Sequence, residues 1–190
     1  MNRRRYLGLA TAAMSGLAGC LADTEYSVSA VAVDDIAAPL ALDVTPVDRS
    51  VTVDSPGTLA LTLRNTSEKP IEIRTTGVWP FGMLGLAPPG EHGPDAILLL
   101  SDQYEETDRV EATASSAHLD NTPITDTLDG GESVGAHYEI HGQRVVDTGT
   151  HRLRGFFDAV PLSYRDPDAD GWTQYHPDVT VDLTKRSLLP

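Results

Sequence analysis

Thr58-Leu59-Ala60-Leu61-Thr62-Leu63-Arg64-Asn65-Thr66-Ser67-Glu68-Lys69-Pro70-Ile71-Glu72-Ile73-Arg74 is the stretch whose reading decides the fold. Leu59, Leu61 and Leu63 point one way, and Thr58, Thr62 and Arg64 the other. That period of two belongs to a half-buried strand. Asn65 to Pro70 is a polar turn: Asn and Ser bond back to nearby backbone, and Pro70 presets its own φ. Ile71 and Ile73 then resume the alternation against Glu72 and Arg74. The unit is strand, turn, strand.

The same signals recur outward from it. Val28, Ala30 and Ala32 alternate with Ser27, Ser29, Val31 and Val33. Leu40, Leu42 and Val44 form a second candidate, stopped at Pro46. Ile97 to Leu100 is a short buried run, and Val134, Ala136, Tyr138 and Ile140 alternate with Gly135, His137, Glu139 and His141. Leu153 with Phe157, and Val179 with Val181 and Leu183, supply the last two. About eight strands with turn chemistry between them predict an all-β chain, folded as a two-layer antiparallel sandwich. Ser101 to Leu119 departs from the pattern and has room for a short helix. Ala87 to Pro94, with three prolines and two glycines, reads as a loop.

Three stretches carry a family resemblance. Leu61 to Ile71 looks like the B–C strand pair of immunoglobulin-like domains in bacterial and archaeal surface proteins. Leu128-Asp129-Gly130-Gly131-Glu132-Ser133 resembles the turn into a later strand, and Asp147 to Leu153 resembles the start of a final hairpin. In the same order these signals resemble the bacterial intracellular proteinase inhibitors, over residues 58–158. The resemblance implies an immunoglobulin-like sandwich and, as one alternative function, a proteinase-inhibitor-like regulator.

The N-terminus gives an address. Arg3, Arg4 and Arg5 precede an apolar segment, Leu7 to Ala18. A bilayer span needs about 20 apolar residues, so this segment fits a signal h-region better than a membrane helix. Arg3 and Arg4 before Tyr6 and Leu7 resemble a twin-arginine export signal. Leu17-Ala18-Gly19-Cys20 resembles the lipobox of prokaryotic lipoproteins, in which the Cys20 thiol takes a lipid thioether. The other reading is an ordinary signal followed by a stray thiol. Cys20 is the single cysteine, so the chain forms no internal disulfide. The expected organisation is a signal peptide over 1–19, a lipid-anchored tether over 20–25, and one sandwich domain over 26–190. It would face the extracellular side, anchored at one end.

Charge narrows the partners. The chain has 14 basic and 28 acidic residues and a formal net charge of −14. Only Lys69 and Lys185 are lysines, and aspartate outnumbers glutamate. Such an excess repels polyanions and argues against nucleic acid as a partner. A lysine-poor, aspartate-rich lipoprotein with a twin-arginine signal resembles the secreted proteins of extreme halophiles. The resemblance implies folding that depends on salt.

Five places carry potential chemistry. Asp166-Pro167-Asp168-Ala169-Asp170-Gly171 has the alternating carboxylates and glycine of a calcium loop, with Pro177 where a bidentate glutamate is expected. His137, Glu139 and His141 share one strand face and could ligate a metal. Asn65-Thr66-Ser67 is a glycosylation sequon at a turn, and the turn alone explains the same residues equally well. Trp79 and Phe81 sit in an apolar loop that would be a binding patch if exposed and core if buried. Cys20 is the lipid attachment site. No nucleophile elbow, P-loop or zinc-protease motif occurs. The expectation is therefore a non-catalytic binding or accessory module, with a membrane-protein or envelope partner. A calcium-dependent adhesion module is a second alternative.

Overall fold

In the computed structural model, residues 25–90, 96–113, 116–157 and 162–186 are described. The alternation at Leu59, Leu61 and Leu63 becomes a strand whose three leucines are at most 1% exposed, while Thr62 and Arg64 face solvent. Each buried leucine contributes roughly 1.5–3 kcal/mol of apolar burial.

The strands in chain order begin with β1 (Glu25–Val33), β2 (Leu40–Asp48), β3 (Ser50–Val51), β4 (Gly57–Asn65) and β5 (Ile71–Thr76). Then come β6 (Leu84–Ala87), β7 (Ile97–Leu98), β8 (Val110–Ala112), β9 (Ala117–Leu119) and β10 (Pro123–Leu128). Last are β11 (Ser133–Ile140), β12 (Gly149–Gly155), β13 (Ser163–Arg165), β14 (Thr173–Gln174) and β15 (Val179–Arg186). All pairings are antiparallel. One sheet runs β3-β1-β15-β12-β6-β7, a second β11-β4-β2, and a third β10-β5-β13-β14; β8 and β9 form a separate hairpin. The all-β, sandwich-like architecture is the one the alternation predicts.

The first two sheets join at both edges. The chain bends at Arg49, so β2 lies in one sheet and its continuation β3 in the other. On the far side Leu100 and Glu139 exchange backbone hydrogen bonds of 3.1 and 2.7 Å.

The structure departs from expectation in three local ways. In β1 the register slips between Val28 and Ala30, so Ser29 is an extra residue. This bulge exchanges the faces: Val28 is buried, then Val31 and Val33 turn inward and Ala30 and Ala32 outward. Among the described residues between Ser101 and Leu119 there is no α-helix; Asp102–Tyr104 makes one 3-10 turn, and the β8–β9 hairpin follows. Phe157 lies beyond the end of β12 and is half exposed. Arg3, Arg4, Cys20 and most of the tether lie outside the described residues.

The core holds an aromatic group. Tyr138 is fully buried, meets Phe81 and Tyr104 edge to face, and donates its hydroxyl to Gly82 O at 2.8 Å. Gly82 has φ +70°, and a Cβ there would lie 2.8 Å from Thr76 O, so the chain needs glycine where the loop turns inward. Burial pushes the Tyr104 and Tyr138 hydroxyls well above the usual phenol range.

Candidate binding face

The third sheet presents the best-defined arrangement of chemistry-bearing side chains. Along β5, Ile71, Ile73 and Thr75 are buried, and Glu72, Arg74 and Thr76 face outward. Directly paired residues share a face. Arg165 and Thr127 flank Glu72, and Ser163 and Thr125 flank Arg74, so these groups form one outward patch. Gln174 of β14 lies opposite Ser163 and extends it.

Trp172 leaves the β13–β14 loop and lies against this patch. The Arg74 guanidinium is 4.3 Å from a Trp172 ring centroid, and that of Arg165 is 4.7 Å away. Arg165 Nε also donates to Glu72 Oε2, which holds its planar fork in place. Cation–π contact orients indole and guanidinium together. A guanidinium so placed keeps N–H donors that suit a carboxylate, sulfate or phosphate. The patch can therefore hold an anionic group beside an aromatic plane, with threonine hydroxyls at its margin.

The domain of unknown function DUF8130 matches residues 1–189. The chain belongs to the DUF8130 family. The family match begins at residue 1, so it takes in Arg3, Arg4 and Cys20 as well as the sheets. No curated protein matches the chain.

In this DUF8130 chain the residues singled out from sequence fall into different environments. Asp166, Asp168 and Asp170 are all exposed. Asp166 Oδ1 accepts from Asp168 N at 3.0 Å, and its carbonyl accepts from Ala169 N at 2.9 Å. The first carboxylate thus closes the turn that delivers Trp172 to the sheet. Among the described residues, no three His, Cys, Asp or Glu side chains assemble into a metal-holding group. Glu139 Oε2 of β11 and Nε2 of His141, just past the end of that strand, are 2.8 Å apart, whereas His137 is exposed and outside that pair. The pair lines a pocket of mixed character with Leu100, Asp102, Glu105 and Ala112.

At two of these places the side chains are largely buried. Asn65 is fully buried, and its Nδ2 donates to Lys69 O at 2.7 Å, Leu128 O at 3.0 Å and Asp129 O at 3.1 Å. Its Oδ1 accepts from Ser67 N and Oγ. In the folded chain that nitrogen is not presented for a glycan; the sequon is a structural clasp. Phe81 is 5% exposed and packs on Tyr138, and Trp79 is half-buried after a buried Val78. The apolar loop is core, which is the other of its two readings.

Sequence reasoning passed over Trp172 as a recognition residue. A signal was present: Arg74 and Arg165 are two of few cations in an acidic chain, and a tryptophan follows a polar turn. Nothing local connects residues so far apart in sequence.

Proposed function

We propose that this DUF8130 chain is a lipid-anchored module of the outer membrane face that binds a partner without transforming it. The β10–β5–β13–β14 sheet is its binding face. The lipobox at Leu17 to Cys20 supports the anchoring, and Arg3 with Arg4 supports export in a folded state. The observation that carries the binding face is the contact of Trp172 with Arg74 and Arg165. Tryptophan and arginine are the side chains most enriched where binding energy concentrates.

In-cell photocrosslinking tests this reading. A crosslinker at Gln174, on the proposed face, should give one dominant adduct. That adduct should be lost in Trp172→Ala and in Cys20→Ser. A crosslinker at Ala32, exposed on β1, should not give it. The same adduct from both positions would exclude this face as the binding site.

A further inference from the structure

The two ends of the sandwich differ in apolar exposure. At one end β1 begins at Glu25 and β15 finishes at Arg186, which are paired. The 52–56 turn and the 141–148 connection reach the same end: Gly142 N donates to Thr52 O, and the Tyr26 hydroxyl donates to Val145 O. Ile140 pairs with Gly57 there, and Asp48 with the adjacent Thr58.

Five large hydrophobic residues are exposed among the described residues, and three of them lie at this end: Val47 at 63%, Val53 at 50% and Val146 at 82%. Arg144, Lys185, Arg186 and Arg49 also lie at this end, beside Glu25, Asp48, Asp54, Asp147 and Glu139. The opposite end is built from the 34–39, 65–70 and 129–132 loops, joined by Thr66 N to Pro39 O and Asn65 N to Glu132 O. It carries Asp34, Asp35, Glu68, Asp129 and Glu132 against Lys69.

We infer that the valine-bearing end is a membrane-docking surface, seated on the headgroup region of the bilayer that holds the anchor. The inference rests on the proposed Cys20 anchor. Cys20 lies five residues before Glu25, and an extended chain spans at most about 3.6 Å per residue, so this end stays within roughly 18 Å of the lipid attachment. Exposed apolar side chains at that distance partition into the interface.

Depth-dependent quenching tests it. The lipid-modified full chain is placed in phosphatidylcholine–phosphatidylglycerol vesicles that contain a quencher-bearing lipid. A thiol-reactive fluorophore is attached at Val146→Cys or, at the opposite end, at Ile36→Cys. Quenching at Val146→Cys is expected to be several-fold stronger. Equal quenching at the two positions would overturn the docking surface and leave the anchor standing. The parent chain reads the anchor separately, because a lipid-bearing Cys20 takes no fluorophore. Labelling of the parent chain would overturn both. As a second check, a fluorophore at Gln143→Cys should lose its quenching when Val53→Asp and Val146→Asp are added, with the melting temperature unchanged. Retained quenching there would show that the valines do not hold the domain to the bilayer.

Discussion

Two polar turns look alike in sequence and have opposite fates. Asn65 to Pro70 and Asp166 to Trp172 are both short, hydrophilic runs that begin with a side chain suited to bonding its own backbone. The first ends fully buried at Asn65, where one amide ties β4 to the backbone around the β10–β11 turn. The second stays in water; Asp166 closes a local turn, and only Trp172 reaches the sheet. The difference comes from what passes overhead. The 129–132 turn crosses Asn65 and excludes water from its amide. Among the described residues no backbone carbonyl or amide outside the turn bonds the Asp166 carboxylate. A polar turn is a structural joint when a second turn closes over it, and an adaptable surface when none does.

The largest effect that would break this comparison is at the buried turn. Asn65→Ala removes the amide's hydrogen bonds to Lys69 O, Leu128 O and Asp129 O, and at roughly 1 kcal/mol for each should cost about 3 kcal/mol. Thermal denaturation should register this as a fall of about 10 °C for a domain of this size. A loss no greater than that of a surface substitution would mean that the amide is not the joint. Next comes alkali. Tyr175, just past the second turn, donates to Leu40 O at 3.3 Å, and burial pushes its hydroxyl up to about 12 from an ordinary 10.0. Because its folded pKa is raised, its contribution is fully present below pH 10 and is lost as pH rises toward 12. Denaturant titrations across that window should show stability falling, with a shallower fall in Tyr175→Phe.

Smaller effects sharpen the exposed side. Trp172→Ala should lower stability by only about 1 kcal/mol, the scale of a cation–π contact. It should nevertheless abolish the Gln174 crosslink, separating recognition from folding. Asp166→Ala should change stability by less than about 0.5 kcal/mol, as expected of a surface turn. A loss in chemical denaturation comparable to that of Asn65→Ala would erase the distinction between the two turns.

Each of the eight strand candidates, read from alternation or, at Ile97 to Leu100, from a short apolar run, corresponds to a strand of the fold; a period of two is a local property that burial of one face imposes. The seven others, β3, β6, β8, β9, β10, β13 and β14, are two to six residues long. Short segments such as Thr173–Gln174 show no period; they are strands because distant partners supply hydrogen bonds. The candidate site was less legible for the same reason. Arg74, Arg165 and Trp172 meet only because β13 pairs with β5 across more than eighty positions.

By itself, then, the sequence determined an antiparallel all-β chain with an acidic surface, since strand periodicity and charge are local or additive. Its N-terminal motif carries the expectation of an anchor on the same local terms. Tertiary structure alone decided which face of β1 turns inward, through the bulge at Ser29. It also decided that Asn65 is a buried clasp and that Trp172 rests on two arginines. Each of these depends on which backbone passes close by, and that is set by long-range pairing rather than by neighbours in sequence.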